Sequence, residues 1–273
     1  TGSSSFDLAN SAEEALTGRK TVLTLYPLAF HEITMDATPF DAKRNLDDLL
    51  IYGSYPEVVA LGSHQAKEDR IAEITGSYLI KDILEFQLLK RSRVIIDLLR
   101  LLAFQIGQQV STVELGRQLG MDNKTVQRYL DLLEKSFVLI SLHGFSRNLR
   151  KEVTKMNKYY FVDTGVRNAL IANFNPIRMR NDAGALWENF MILERMKWNA
   201  YSRSKANYYF WRTYDQKEID LVEESGGVLR GFEFKWNPSS KAAPPAGWLD
   251  TYPNATWETV SPDGFQALIT PGT

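Results

Sequence analysis

The sequence predicts a multi-domain chain of the α+β class. Three observations carry that reading: helix-period segments dominate up to about residue 135, strand-period segments with one long helix follow, and 273 residues with 44% hydrophobic content supply material for about two cores. The formal net charge is −1 and the isoelectric point about 6.3, so no global field draws the chain to nucleic acid and any such attraction must be local. The absence of cysteine excludes disulfides, cysteine-type zinc sites and thiol nucleophiles. No apolar run reaches the ~18 residues of a membrane span, and a cytoplasmic chain without a membrane partner is the expectation.

Before residue 90 the pattern is mainly helical. A short helix is expected over 12–16, ending at Gly18, and Leu23-Thr24-Leu25 precede a sharp turn at Tyr26-Pro27. Helical stretches at 46–52 and 71–86 flank the turn Gly53-Ser54-Tyr55-Pro56, and no step among them has a catalytic signature. An apolar helix follows over 94–105. Residues 111–118 form a short helix capped by Ser111 or Thr112, Gly120 supplies a turn, and Asp122 or Asn123 caps a helix over 124–135. On that last helix Val126, Tyr129 or Leu130, and Leu133 face a core, whereas Lys124, Gln127, Arg128 and Asp131 face away. This is a helix-turn-helix pattern with a polar second helix, the geometry that enters a major groove.

Residues 137–142 and 158–162 read as paired strands. Between them Arg147, Arg150, Lys151 and Lys155, with Lys158 at the border, oppose Glu152 alone. A basic loop between two strands after such a unit is a wing, whose cations would contact phosphates without reading bases. The plainer alternative is a solvated loop.

The chemistry is concentrated near the C-terminus. The periodicity of 187–198 places Glu188 early on an amphipathic helix. Residues 208–211 read as a strand. Residues 218–222 (EIDLV) read as the next strand, with Glu218 and Asp220 on one face and Ile219 and Leu221 on the other. The Gly226-Gly227 turn leads into a strand over 228–236, which sets Glu233 and Lys235 on a shared face. Asp220 and Glu233 supply hard oxygens of the kind Mg²⁺ prefers. Glu188 assists, and Lys235 would orient a water or stabilise phosphate charge. The alternative is that these are solvent-facing strand charges.

With those residues in view, the segment from about 182 to 270 resembles the restriction-endonuclease-like, PD-(D/E)xK superfamily. The resemblance implies Glu188, Asp220, Glu233 and Lys235 as catalytic residues, with Asp220 and Glu233 holding Mg²⁺. It also implies a further helix and a closing strand-helix, for which 241–250, 256–260 and 264–268 can serve, although Pro244-Pro245 weakens the first. Nearly the whole chain is similar to prokaryotic AAA+ ATPases that carry a C-terminal domain of unknown function. The marks are TGSSSF, LTGRKTVLTLYPLAFHEI, LLIYGSYPEVV, YLIKDILEF, the helix-turn-helix, KYYFVDTGVRNAL, LWENFMILE, EIDLV and FEFKW. That resemblance implies a nucleotide-sensing role for Ser3 or Ser4, with Arg19 near a neighbouring subunit's nucleotide. The residues present contain no G-x-x-x-x-G-K-[ST] phosphate loop, so ATP is expected only in an intact, longer parent, which would allow a homo-oligomer through its ATPase core.

The expected organisation is an ATPase-lid remnant over 1–90, a winged helix over 91–165 and a restriction-endonuclease-like domain with a mixed sheet over 166–273. The expected function is a DNA-interacting ATPase part whose last domain either hydrolyses phosphodiesters with Mg²⁺ or keeps the fold for binding alone. The competing expectation is a protein-interaction or regulatory module that keeps a degenerate nuclease fold. Other motifs are discounted. Asp163-Thr164-Gly165 reads as a helix cap, His31, His64 and His143 lack ligand spacing, and the aromatic run 208–211 reads as core.

Overall fold

The structure is a computed structural model that describes residues 23–79, 92–145, 156–213, 216–240 and 242–270. Among the described residues the helices are α1 (Phe30–Thr34), α2 (Pro39–Tyr52), α3 (Pro56–Val59), α4 (His64–Glu73), α5 (Ser92–Phe104), α6 (Thr112–Leu119), α7 (Asn123–Lys135), α8 (Thr164–Leu170), α9 (Ala183–Tyr201), α10 (Trp248–Thr251) and α11 (Gln266–Ile269). The strands are β1 (Gln109–Val110), β2 (Leu139–Gly144), β3 (Asn157–Phe161), β4 (Asn207–Arg212), β5 (Glu218–Ser225), β6 (Val228–Phe234) and β7 (Ala255–Val260). None of these helices is long and apolar enough to cross a membrane. The expected helix over 12–16 lies outside the described residues.

Local chemistry explains the boundaries. Ser111 accepts the Glu114 amide and Asp122 accepts that of Thr125, which selects one cap from each pair the sequence left open. Gly120, in the left-handed region, ends α6. Val126, Tyr129, Leu130, Leu132 and Leu133 are buried on α7, as its period predicts. Asp163 caps α8 through the Val166 amide and also accepts the Ser54 amide at 2.7 Å, which ties the turn after α2 to the end of β3. Four expectations need correction. Phe137 has φ +54° and belongs to the turn, so β2 begins two residues later, at Leu139. The helical stretch expected over 71–86 changes its period after Glu73, where Ile74–Leu79 is π-helical, and its residues 80–86 lie outside the described residues. The strand expected over 228–236 ends at Phe234. Of the helix expected over 241–250, only Trp248–Thr251 forms, because the preceding prolines cannot continue a helical ladder.

The strands form one seven-stranded mixed sheet in the order β1-β3-β2-β4-β5-β6-β7. β2 runs parallel to β4 through His143↔Tyr209 and Gly144↔Phe210, so the β2–β3 pair that follows α7 and the C-terminal strands share one sheet. One large cluster joins α9 and the helices before it to Leu221, Phe232 and Phe234. A smaller one joins Trp211, Ile219, Val222 and Leu229 to Trp248 and Tyr252. The sheet therefore buries both faces, and α9, embedded in the larger cluster, carries charged residues through the interior.

Candidate functional site

The site grows from the end of one hairpin. Gly226 and Gly227 both have positive φ, the backbone of a two-residue turn whose twist suits antiparallel strands. From that turn the β5–β6 register runs from Ser225↔Val228 to Leu221↔Phe232. The next step would set Asp220 opposite Glu233. Like charges directly opposed in a ladder repel, and there the carboxylate of Asp220 accepts the Phe234 amide at 2.8 Å.

A bulge aims Asp220. β4 and β5 pair at Tyr209↔Val222 and then at Trp211↔Ile219, so Asp220 and Leu221 together oppose Phe210. This overturns the expected alternation. Ile219 joins Val222 in the smaller cluster, whereas Leu221 joins the larger one. The extra residue shifts the side-chain period by one.

Glu188, Glu218, Asp220 and Glu233 meet here with Lys158 and Lys235. Tyr160 donates its hydroxyl to Glu188 Oε1 at 2.6 Å, and Lys158 Nζ lies 3.3 Å from the same oxygen. Lys158 also pairs with Glu218, whose other oxygen lies 3.4 Å from Arg212 Nη1. Gly107, at φ +76°, brings backbone so close to Glu188 that an added Cβ would lie 3.1 Å from Oε2. Lys235 Nζ donates to Glu233 Oε1 at 2.5 Å. Asp220 is 9% exposed, and the side chains of Glu188 and Glu233 are each 14% exposed, so these are not solvated strand charges.

Electrostatics follow from that crowding. Burial, reinforced by Glu188 and Glu233, pushes the Asp220 carboxyl well above the usual carboxylate range, against the lowering pull of Lys158 and the Phe234 amide. Burial also raises Glu188, partly offset by Lys158 and Tyr160. Burial would lower the Lys158 ammonium, but Glu188, Glu218 and Asp220 outweigh it and hold its pKa above the ordinary lysine value. The cluster as a whole favours added positive charge.

The donor set bears on Mg²⁺ directly. Glu233 Oε2 is buried with no hydrogen-bond partner, and Asp220 is the acid most strained by its neighbours. Among the described residues no three His, Cys, Asp or Glu side chains form a metal-holding group, and Glu188 is already engaged by Tyr160 and Lys158. Asp220 and Glu233 remain as donors, and an ion that takes one or two protein carboxylates and keeps several waters, the habit of Mg²⁺, would need no more than these.

Lys124, Gln127 and Arg128 lie exposed on α7. Arg147, Arg150, Lys151, Lys155, Ser3, Ser4 and Arg19 lie outside the described residues. Three members of the cluster are not site residues on the sequence reading: Glu218, placed there only on the face of Asp220, Lys158, which borders the basic loop, and Tyr160. The signal that marks Lys158 and Tyr160 is their spacing of two on a strand, which gives both side chains one face.

A family model described as a domain of unknown function, DUF8612, matches residues 43–177, and a second, DUF4143, matches residues 183–259. The chain is similar to an uncharacterized protein of Mycobacterium tuberculosis, 29% identical over 239 residues that make up 86% of this chain and 51% of that protein. An uncharacterized protein of Haemophilus influenzae is 28% identical over 232 residues, covering 81% and 54% respectively. No solved structure matches the chain. The chain spans about half the length of these curated bacterial relatives.

Proposed function

We propose that this chain is the C-terminal part of an AAA+ ATP-binding protein that engages DNA and hydrolyses phosphodiesters with Mg²⁺ at the acid cluster. The observation that carries the reading is the gathering of buried acids and Lys235 at the end of the β5–β6 hairpin, an arrangement with a large solvation cost that a purely solvated face never incurs. Asp220 and Glu233 would hold Mg²⁺, which when bound would lower the pKa of a water and offset charge on the phosphate. Lys235 is half-buried beside Glu233 and supports the incoming water or the charge that builds on phosphate. Glu188 supplies fixed negative charge from α9. Its contacts with Tyr160 and Lys158 hold it in place.

The DNA-interacting part of the proposal is supported by the order helix, β1, helix, turn, helix, hairpin, with β1-β3-β2 antiparallel, an order that a winged helix would share. Lys124, Gln127 and Arg128 line the exposed side of its last helix. The ATPase parentage rests on the chain-long resemblance and on relatives about twice as long.

The test is incubation with duplex DNA and Mg²⁺ or Mn²⁺. Cleavage should require the ion and disappear in Asp220→Ala and Lys235→Ala while circular dichroism stays unchanged. Cleavage that survives either substitution sinks the catalytic assignment. Binding of duplex DNA should weaken steeply with salt, and Lys124→Ala should lower the logarithmic salt slope by about 1. Salt-insensitive or absent binding rejects the nucleic-acid assignment.

A second reading, a non-enzymatic regulatory module with a degenerate nuclease fold, draws on one specific observation. Lys158 bridges Glu188 and Glu218 and spends two of the four acids on an internal ion pair. Ion binding without cleavage of DNA or RNA favours this reading.

A further inference from the structure

We infer that Lys158 is a positioning residue, an internal counter-ion that withholds Glu188 and Glu218 from a divalent cation and leaves Asp220 and Glu233 to hold it. The inference rests on the metal-assisted reading above. Its basis is the way Lys158 is built into the cluster. Its side chain is 1% exposed and comes from β3, not from α9, which carries Glu188, or from the β5–β6 hairpin, which carries Glu218, Asp220 and Glu233. Its ammonium meets Glu188 at 3.3 Å, pairs with Glu218 and lies 5.6 Å from the centre of the Phe210 ring, opposite the bulge that aims Asp220.

Its surroundings prevent relaxation. Tyr160, two residues along the same strand, donates to the same Glu188 oxygen that faces Lys158, and the Gly107 backbone closes on the other. Gln109 is the register partner of Lys158 and accepts from Arg212 at 3.1 Å, while Arg212 also faces Glu218. Glu188 cannot swing toward Asp220 and Glu233 without losing both its ammonium and its phenol. An ammonium and a divalent cation compete for the same carboxylate charge, and in a dry site that competition is strong.

The experiment is Mn²⁺ titration of the full chain, followed calorimetrically and by electron paramagnetic resonance, for wild type and Lys158→Met. The substitution should tighten Mn²⁺ binding at least tenfold, and Mn²⁺ should raise the melting temperature of the variant more than that of wild type. Equal affinity with equal thermal shifts overturns the inference while leaving the Asp220–Glu233 assignment intact. If only the variant binds Mn²⁺, Lys158 excludes the ion outright, and the inference that it leaves Asp220 and Glu233 to hold one falls together with the native metal reading; if neither binds, both fall as well. Should Lys158→Met fail to fold even with Mn²⁺, Lys158→Met/Glu218→Gln preserves the charge balance of the cluster. It should still bind Mn²⁺ more tightly than wild type because Glu188 is released, and unchanged affinity overturns the inference.

Discussion

Helix α9 and strand β5 face each other twice, and the two meetings have opposite chemistry. Near the end of α9, Arg195 grips Glu223 through Nε at 2.7 Å and Nη2 at 3.0 Å and donates a third bond to the Leu268 carbonyl. Asn199 completes the same carboxylate at 3.0 Å and also donates to Tyr208. Near the start of α9, Glu188 meets Glu218 and Asp220, with Glu233 beside them, and one Glu233 oxygen is buried without a partner. A single pair of elements thus carries a closed polar network at one end and an acid-rich, underpaired one at the other. A satisfied network fixes the helix on the sheet, whereas an underpaired one stores unfavourable charge that a ligand can relieve.

Breaking the closed end should produce the largest effect. Arg195→Met leaves Glu223 buried after losing its bidentate partner, and removing one member of such a pair costs about 3–5 kcal/mol. Urea unfolding of the variant should show a midpoint lowered accordingly. Loss below about 1 kcal/mol would mean that Arg230, whose Nη1 is 3.7 Å from Glu223, or water takes over, and the contrast between the two ends would fail.

The opposite sign is expected at the other end. Asp220→Asn removes one of the mutually repelling acids and keeps an oxygen that can accept the Phe234 amide. The folded state should gain about 1 kcal/mol, the usual scale for relieving strain at a functional site, while any Mg²⁺-dependent cleavage is lost. The same urea measurement in metal-free buffer checks this. A destabilised Asp220→Asn protein would place Asp220 with Glu223 as a structural residue.

The two ends also differ in how well they could be read from sequence. Glu188, Asp220, Glu233 and Lys235 were legible because a helix period, a strand period and a Gly-Gly turn are all local patterns. The bulge was not, since it depends on how β5 meets β4, and it reassigns Leu221 although EIDLV alternates cleanly. Lys158 was misread for a related reason. Basic residues such as Lys151 and Lys155 precede it, Tyr159, Tyr160 and Phe161 follow it, and its partners lie 30 residues away on α9 and farther on, at Glu218. The parallel β2–β4 pairing that places the first hairpin alongside the C-terminal strands is likewise a long-range contact with no local signature.

A third charged group, at the first end of α9, tests whether pairing alone separates the two behaviours. Asp182 precedes the helix and receives Arg180 Nε at 2.8 Å and Arg167 Nη1 at 2.5 Å, with its side chain 19% exposed. Burial alone would raise its carboxyl, but the hydrogen bonds and charges of Arg180 and Arg167 outweigh it and hold the pKa at about 2. The folded-state value is therefore depressed below the ordinary ~3.9, so the stabilisation is present above pH ~4 and is lost as pH falls from there through about 2. Because the group is only partly buried, solvent screening leaves about 1 kcal/mol. Unfolding midpoints of wild type and Asp182→Asn should differ at pH 6 and converge as the pH approaches 2. A constant difference across that window would show that Asp182 acts through hydrogen-bond geometry rather than charge, and that count of cations per acid does not by itself distinguish the structural end of α9 from the site.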